Sequence, residues 1–262
     1  MKLFLFLFVC LVSGVLFSAE PKAPPRIVFM IGEDEYKTWE TLPEFAKTEL
    51  ESRGARVTII EADKADTNNF PGLVEALRDA DALFVSVRRR LPPKAQMDAV
   101  RAHLAAGKSL IGIRTASHAF APRAKAAPLP ATNAMWAEFD AEVLGGHYTG
   151  HHKDGPKTAV SIAPGAEKSS LLEGVDVSKF VGNGSLYLAS PLAESCTRLL
   201  TGTIPGADPE PLAWTRLYGA KQARVLYTSL GHPDDFKDPQ FRRLLLNAVR
   251  WAVRDPLADR KN

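Results

Sequence analysis

The chain has 262 residues, of which 45% are hydrophobic and 24% are charged; this length and composition fit one globular domain with an ample core. A core of that size needs neither disulfides nor a structural metal. The net charge of +3 at pH 7 is too small to predict a nucleic-acid-binding protein.

The first 19 residues differ from the rest of the chain. Lys2 precedes an almost continuous apolar run over residues 3–17, which is followed by the small residues Ser18 and Ala19. A positive start, an apolar middle and a small residue are typical of a secretory signal peptide, and a run of about 15 residues is short for a membrane span. Residues 1–19 are therefore predicted to be a signal peptide, with an uncleaved anchor as the alternative. The mature protein is expected to be periplasmic or extracellular, without stable membrane insertion.

Residues 20–25 are rich in proline and predict an extended linker into the first strand. Removal of the leader would leave Cys196 as the single cysteine, so the mature chain has no intramolecular disulfide. Because Cys196 lies at the start of a predicted strand, we expect a buried, unreactive thiol.

Strands and helices alternate over residues 26–113, with about 30 residues in each unit. Apolar runs predict strands over residues 26–32, 57–60, 82–87 and 109–113. Apolar residues at helical spacing predict helices over residues 41–53, 73–78 and 92–106. The alternation indicates right-handed β-α-β crossovers and a parallel sheet.

The pattern is weaker in the middle of the chain and returns near its end. Residues 119–132 predict a loop and residues 136–144 a helix, whereas residues 157–162, 197–203 and 212–217 predict strands whose pairing the sequence does not determine. A strand is predicted over residues 223–230 and a helix with one apolar stripe over residues 239–254. Residues 26–256 are thus expected to form one α/β domain, and residues 257–262 a tail.

Polar residues follow the predicted strands of the parallel sheet. Since ligands of such sheets bind beyond the carboxyl ends of the strands, these residues are expected to converge on one rim. Each group also has a structural alternative: a solvated loop for the arginine run, and the capping of backbone groups for Glu33, Asp34 or His118. The rim residues are Glu33, Asp34, Glu35, Tyr36, Trp39, Arg88, Arg89, Arg90, Arg114, Thr115, Ser117, His118, His232, Asp234 and Asp235.

The segment from Leu144 to His152 places three histidines among three glycines. His147 and His151 are four residues apart and would share a helix face, but the glycines favour an ordered loop. Three interpretations stay open for this segment. It can move protons or hydrogen-bond a substrate; it can hold a divalent metal such as zinc through His147, His151 and His152, with Asp140, Glu142 or Asp235 behind them; or its histidines are solvated.

Several common catalytic motifs are absent from the sequence. It contains no Gly-x-Ser-x-Gly elbow of a serine hydrolase, no P-loop, and no Gly-x-Gly-x-x-Gly after the first strand.

Five segments resemble the ThuA-like trehalose-utilisation family, and the resemblance spans residues 26–254. They are residues 109–118, 144–148 and 211–216, and above all 223–233 with the helical segment 241–251. The resemblance implies a class I glutamine amidotransferase-like, flavodoxin-related three-layer α/β sandwich with a mainly parallel sheet. It also implies a role in carbohydrate metabolism, acting on oxidised (3-keto) glycosides.

One position departs from the amidotransferase pattern. The turn after the fourth strand, which carries the nucleophilic cysteine of amidotransferases, is occupied here by Arg114. Without a thiol there, glutamine hydrolysis through a thioester is excluded. The turn Gly231-His232-Pro233 is similar to the one that carries the catalytic histidine of amidotransferases.

These features predict an exported enzyme that acts on a sugar or 3-keto-glycoside by isomerisation, elimination or hydration. A keto group acidifies the neighbouring C–H, so a base, an acid and an oxyanion stabiliser suffice. His232 and His147 are assigned to proton transfer, and Arg114 to stabilising negative charge. The residues predicted to bind substrate are Glu33, Trp39, Arg88, His118, Tyr148, Trp214 and Asp235.

Two other functions are compatible with the same residues. One is a metal-dependent hydrolase that uses the histidine cluster to activate water, and the other is a non-catalytic carbohydrate-binding protein. In each case the partner is a small carbohydrate, and a homo-oligomer is left open.

Overall fold

The structure is a computed structural model that describes residues 23–123, 125, 128–254 and 257. The predicted signal peptide, the first part of the linker and most of the tail lie outside these residues. Within the described ranges, no helix is long and apolar enough to cross a membrane.

One mixed sheet of nine strands runs through the described part of the chain. Its parallel half consists of β1 (Arg26–Gly32), β2 (Arg56–Glu61), β3 (Ala82–Val87), β4 (Ser109–Ile113) and β11 (Ala223–Thr228). Its antiparallel half consists of β6 (Thr158–Ile162), β7 (Val181–Gly182), β9 (Thr197–Thr203) and β10 (Glu210–Tyr218). The order is β2-β1-β3-β4-β11-β10-β9-β6-β7, and β5 (Gly150–His151) pairs separately with β8 (Tyr187–Leu188).

Helices cover both faces of this sheet. They are α1 (Thr38–Phe45), α2 (Leu73–Arg78), α3 (Lys94–Ala105) and α4 (Pro239–Val253). Alternate residues of β1 enter different cores: Ile27, Phe29 and Ile31 pack with α1 and α4, whereas Val28 and Met30 pack with α2 and α3. A strand that is apolar on both faces requires two such cores. The predicted three-layer α/β sandwich is confirmed.

Two predicted helices differ from the structure. The first begins earlier than predicted, at Thr38, and beyond Phe45 it continues through π-helical and 3-10 turns to Arg53. The helix predicted over residues 136–144 is reduced to a π-helical turn at Asp140–Leu144. The backbone N–H of Phe139 donates to the carbonyl of Trp136 in a turn, and the first i to i−4 hydrogen bond runs from Glu142 to Glu138, so residues 136–139 are not helical.

The strand order brings the polar residues that follow four strands to one edge of the sheet. Strands β1, β3, β4 and β11 are neighbours, and each pair among them is parallel. Their carboxyl ends therefore lie along the same edge. The residues that follow these strands, including Glu33, Arg88, Arg114 and His232, come together there as predicted.

Leu245→Ala tests whether α4 seals one of the two cores. Leu245 is fully buried, and truncation of such a side chain costs about 2–5 kcal/mol of unfolding free energy, to be measured by urea denaturation. Arg243→Ala, at an exposed position on the same helix, should change it by less than about 0.5 kcal/mol. Equal effects of the two variants would contradict the packing described here.

Candidate functional site

A buried arginine lies at the centre of the site. Arg114 follows β4 directly and has a φ of 43°, in the left-handed region that is uncommon for residues other than glycine and is enriched at functional sites. Its carbonyl accepts a hydrogen bond of 2.6 Å from the hydroxyl of Tyr227 on β11. The strained turn is thus held from the neighbouring strand.

The guanidinium of Arg114 lies between two aromatic rings. Its central carbon is 4.5 Å from the ring centroid of Tyr36 and 4.5 Å from that of Tyr187. Nη1 donates to the carbonyls of Ser185 (3.1 Å) and Ser229 (2.8 Å). Nη2 donates to the hydroxyls of Tyr36 (3.2 Å) and Ser185 (3.0 Å).

These contacts change the role predicted for Arg114. A guanidinium has five N–H donors; the four on Nη1 and Nη2 are taken up by protein oxygens, and Nε is buried without a partner in the described part of the chain. Arg114 therefore has no Nη hydrogen left for a substrate oxygen. It can act through Tyr36, because an oxygen that accepts from Nη2 directs its own proton elsewhere.

Gly184 is required by this arrangement. A Cβ on Gly184 would lie 2.5 Å from Nη2 of Arg114, which is closer than unbonded atoms approach. A side chain at this position would displace the guanidinium from its partners.

His232 lies beside Tyr36, on the turn after β11. The two ring centroids are 6.3 Å apart in an edge-on arrangement, and 32% of the histidine side chain is exposed. The backbone N–H of Asp234 donates to His232 Nδ1 over 3.2 Å. Because Nδ1 accepts, the neutral ring carries its proton on Nε2, so His232 presents a hydrogen-bond donor to the site.

Asp235 holds the His232 turn and is not available to a ligand. Its side chain is fully buried, and Oδ2 accepts from the backbone N–H groups of Gly231 (2.8 Å) and His232 (2.9 Å). Oδ1 accepts from the backbone and the side-chain amide of Asn183, each over 2.8 Å. The substrate-binding role predicted for Asp235 is replaced by a role in orienting His232.

Glu33 holds the loop after β1 as Asp235 holds the His232 turn, by accepting hydrogen bonds from backbone N–H groups. It is buried, and its carboxylate accepts from the backbone N–H groups of Glu35 (2.7 Å), Tyr36 (2.6 Å) and Thr38 (2.7 Å), and from the hydroxyl of Thr38. These contacts fit the structural alternative for Glu33, the capping of backbone groups, rather than the predicted binding of substrate. Glu33 thereby positions Tyr36 against Arg114.

His118 lies on the other side of the arginine. Its ring stacks on Tyr148, with centroids 4.7 Å apart and planes at 23°, and its Nδ1 is 3.1 Å from the hydroxyl of Ser117. Burial, together with the charges of Arg89, Arg88 and Arg114, lowers the pKa of His118 to about 3. The ring is therefore neutral at physiological pH and can hydrogen-bond a ligand without adding charge.

The glycine- and histidine-rich segment reaches the rim in an extended conformation. The backbone N–H groups of His147, Thr149 and His152 donate to successive carbonyls of residues 189, 188 and 186. Tyr187, which stacks against Arg114, belongs to that same partner strand. The segment is not helical, as its glycines predicted.

The structure does not bring the three histidines together as metal ligands. His151 lies in the strand Gly150–His151, whereas the backbone N–H of His147 donates to the carbonyl of Ala189 and that of His152 to the carbonyl of Leu186, three positions away on the facing chain. Nδ1 of His151 donates to the carbonyl of His152 over 2.8 Å. Among the residues described, no group of three or more His, Cys, Asp or Glu side chains is placed to hold a metal ion, and the zinc site stays a prediction from the sequence.

Three other predicted substrate-binding residues have different surroundings. Trp214 is 1% exposed and donates from Nε1 to the carbonyl of Leu144 over 2.7 Å, so its ring belongs to the core and offers no face to a ligand. Arg88 is paired with Glu35 (2.9 Å) and Asp34 (3.7 Å). Trp39 is exposed and lines a separate hollow.

Cys196 is half-buried and its thiol contacts the carbonyl of Gly145 at 3.5 Å. Burial raises the pKa of Cys196, which keeps the sulfur protonated. The expectation of an unreactive thiol agrees with this environment.

Two residues of the site were not singled out from the sequence. Tyr36 was only one of many polar residues on the rim, and Asp140 only a carboxylate near a supposed metal. Asp140 Oδ2 accepts from the backbone N–H of Tyr148 over 2.7 Å, whereas Oδ1 is buried without a partner in the described part of the chain. Burial raises the pKa of Asp140 to about 6, against the opposing effects of the Tyr148 N–H and the nearby His147.

Comparison with known proteins identifies the family. The sequence profile of the ThuA family, described as trehalose utilisation, matches residues 27–252. The chain belongs to the ThuA family. Membership suggests a carbohydrate-related role. No protein with a curated description matches the sequence.

Solved structures show the same fold at low sequence identity. A ThuA-like protein from Bacteroides uniformis has a TM-score of 0.63 and 16% identity, over 90% of this chain and 95% of that one. A ThuA-like protein from Parabacteroides merdae has a TM-score of 0.56 and 14% identity, over 88% and 90% of the two chains. A catalytic mutant of Gan42B, a GH42 beta-galactosidase from G. stearothermophilus, has a TM-score of 0.57 and 12% identity. That match spans 90% of the present chain but only 31% of the galactosidase chain.

The raised pKa of Asp140 predicts how the free energy of unfolding changes with pH. Because its pKa rises from 3.8 to about 6 on folding, the native state binds more protons than the unfolded state in that range, and stability falls as pH rises through it. Relative to Asp140→Asn, the wild-type protein should lose about 2–3 kcal/mol between pH 4 and 7, measured by urea denaturation. His118 acts in the opposite direction, and the comparison with Asp140→Asn cancels its effect. Parallel pH profiles for the two proteins would contradict the assignment.

Proposed function

We propose that the protein is an exported enzyme of carbohydrate metabolism that performs acid–base chemistry on a 3-keto-glycoside or related sugar. The observation that carries the proposal is the placement of the Tyr36 hydroxyl. It accepts a hydrogen bond from the buried guanidinium of Arg114, and its ring lies edge-on to that of His232. A polarised hydroxyl and an imidazole N–H on one rim are the donors that an enolate requires.

The chemistry follows from the carbonyl of such a substrate. A base removes the proton from the carbon next to the ketone, and the C–H electrons move through the new C–C double bond onto the carbonyl oxygen. That oxygen then accepts hydrogen bonds from Tyr36 Oη and His232 Nε2. In isomerisation, the deprotonated carbon carries a hydroxyl; the proton returns to the former carbonyl carbon and the hydroxyl proton moves to the oxyanion, which gives the isomeric ketone. In elimination, the ketone re-forms as the C–O bond on the next carbon breaks, and the leaving oxygen takes a proton.

His147 is our candidate for the base. It is exposed, and it is next in sequence to Tyr148, whose ring stacks on His118. His147 lies near enough to Asp140 for its charge to act on that carboxyl, and an imidazole is the side chain best suited to proton transfer near neutral pH. His118 is a poor base because its pKa of about 3 disfavours the protonated ring, so we assign it and Tyr148 to substrate hydrogen bonds.

The electrostatics of the rim support an anionic intermediate. In the described part of the chain, the guanidinium of Arg114 contacts carbonyls, hydroxyls and aromatic rings but no carboxylate. Its positive charge is therefore not neutralised by a partner. A fixed charge in a partly desolvated site stabilises negative charge that develops nearby.

Tyr36→Phe and His232→Ala test the proposed donors. The protein is incubated with a panel of glycosides and their 3-keto derivatives, and products are detected by mass spectrometry. Loss of an oxyanion donor should lower kcat about 10²–10³-fold, and loss of the histidine about 10²–10⁴-fold, with little change in Tm. Tyr218→Phe is a matched control, because Tyr218 pairs with Ala223 at the opposite end of β11; its activity should equal that of the wild type.

The outcomes separate the candidate functions. Saturable sugar binding without any product would favour a non-catalytic carbohydrate-binding protein. Full activity of both Tyr36→Phe and His232→Ala would contradict the assigned chemistry, and a large loss of stability with activity retained would make His232 a structural residue.

We also propose export, on the basis of the apolar leader over residues 3–17. Expression of the full chain in a bacterium with two membranes should place the product in the periplasm, starting near Glu20 when its N-terminus is sequenced. An unprocessed chain in the cytosolic fraction would contradict this proposal.

A further inference from the structure

A hollow lies on the same edge of the sheet as the site described above. It has a volume of about 310 Å³, within the range of small-molecule sites. The carboxyl ends of β1 and β2 form its floor, since Gly32 and Glu61 both line it. The remaining residues that matter here are Asp34, Trp39, Asp63, Lys64 and Arg90.

An exposed tryptophan forms one wall of this hollow. Trp39 is 38% exposed and is one of few large apolar side chains of the described chain with that exposure. It lies in the first turn of α1, so its backbone is fixed. A rigid aromatic face of this kind packs against the C–H groups of a flat ligand such as a pyranose ring.

The polar residues around Trp39 are suited to a neutral polyhydroxyl ligand. Oδ1 of Asp63 accepts from the backbone N–H groups of Ala65 (2.7 Å) and Asp66 (3.2 Å), which fixes the carboxylate. Its Oδ2 has no protein partner in the described residues, and neither has the ammonium of Lys64. An acceptor and a donor of this kind match the two functions of a sugar hydroxyl.

Four carboxylates line the hollow, against two cationic side chains, which disfavours an anionic ligand; they are Glu33, Asp34, Glu61 and Asp63, against Lys64 and Arg90. Arg90 donates from Nε to the carbonyl of Gly32 over 2.9 Å and pairs with Asp34 over 3.3 Å. Lys64 faces a hollow that also contains Asp63 and Glu61. The hollow therefore has no excess of positive charge with which to select a phosphate or a carboxylate.

One loop separates this hollow from the Arg114 site. Glu33 ties the loop by its contacts to Tyr36 and Thr38, and the loop places Tyr36 against Arg114 and Trp39 in the hollow. Tyr36 and Trp39 are three positions apart in the sequence, so their α-carbons are at most about 11 Å apart. Two linked sugar rings extend over a comparable distance.

We propose that the Trp39 hollow binds the second ring of a two-ring glycoside whose reacting ring lies at the Arg114 site. The inference rests on the proposed function for the position of the reacting ring, and it adds the substrate class: disaccharides and aryl or alkyl glycosides with a ring-sized second group. A one-ring methyl glycoside fills only the Arg114 site.

Calorimetric titration with maltose, trehalose and methyl glucoside tests the binding. In the wild-type protein at least one two-ring sugar should bind about tenfold more tightly than methyl glucoside. Trp39→Ala should remove this difference and leave the affinity for methyl glucoside unchanged. Met135→Ala is the matched control, because it removes another exposed apolar side chain that does not line the hollow.

Kinetics with the 3-keto derivatives of the same sugars give an independent readout. Trp39→Ala should raise KM about tenfold for the two-ring substrate while kcat stays within about twofold, because the contact is remote from the reacting atoms. For the one-ring substrate both constants should match the wild type. Trp39→Phe, which keeps an aromatic face, should restore most of the affinity.

The failures of the two proposals are distinguishable. Equal binding of one-ring and two-ring sugars, an unchanged affinity in Trp39→Ala, or an absence of binding by all three sugars overturns the second-ring site. If the two-ring sugars bind as expected and Trp39→Ala weakens them, but no keto-glycoside gives a product, then the site stands and the acid–base function fails.

Discussion

The site depends on the burial of one positive charge. Transfer of a guanidinium from water into a protein interior is costly unless it is hydrogen-bonded. Arg114 meets this requirement with carbonyls, hydroxyls and two aromatic faces rather than with a carboxylate. Its partners come from three loops, which carry Tyr36, Ser185 with Tyr187, and Ser229. Arg114 is buried only when these three segments lie together, so the burial of Arg114 and the packing of the segments depend on each other.

Burial is the main influence on the titration of the surrounding groups. His118 stays neutral because it is buried and because three arginines lie near it, whereas Asp140, farther along the rim, holds its proton to an unusually high pH because it is buried. The acidic residues after β1 do not reach Arg114: Asp34 and Glu35 pair with Arg88 and Arg90 instead. The outer arginines, Arg88 and Arg90, are neutralised by these carboxylates, whereas the inner Arg114 keeps its positive charge.

The parallel half of the sheet could be predicted because its strands are buried on both faces. Such strands appear in the sequence as short apolar runs followed by glycine or polar residues, and the topology of α/β sheets then places the polar residues at one edge. Arg114, His118 and His232 were found in this way. The antiparallel half has no comparable rule, since the pairing of β6, β9 and β10 depends on contacts between segments that are far apart in sequence.

The roles of individual side chains were harder to predict than their positions. Glu33, Asp235 and Trp214 have the chemistry of ligand-binding residues, but the direction of a side chain is set by tertiary packing. Glu33 and Asp235 turn inward to satisfy backbone N–H groups, and Trp214 turns into the core. Tyr36 lacked a distinguishing signal because its importance comes from a guanidinium 78 residues away. The extended shape of the histidine segment likewise depends on its pairing with residues 186–189, which no local pattern reveals.

The way in which Glu33 holds its loop has a consequence for the divergence of the family. Its carboxylate recognises mainly backbone N–H groups, and among side chains only the hydroxyl of Thr38. The side chains of Asp34 and Glu35 take no part in these contacts and pair instead with Arg88 and Arg90, whereas Trp39 faces the neighbouring hollow. Residue 39 can therefore be exchanged without loss of the Glu33 contacts, so relatives that keep the glutamate can differ in what the neighbouring hollow accepts while Tyr36 stays in place.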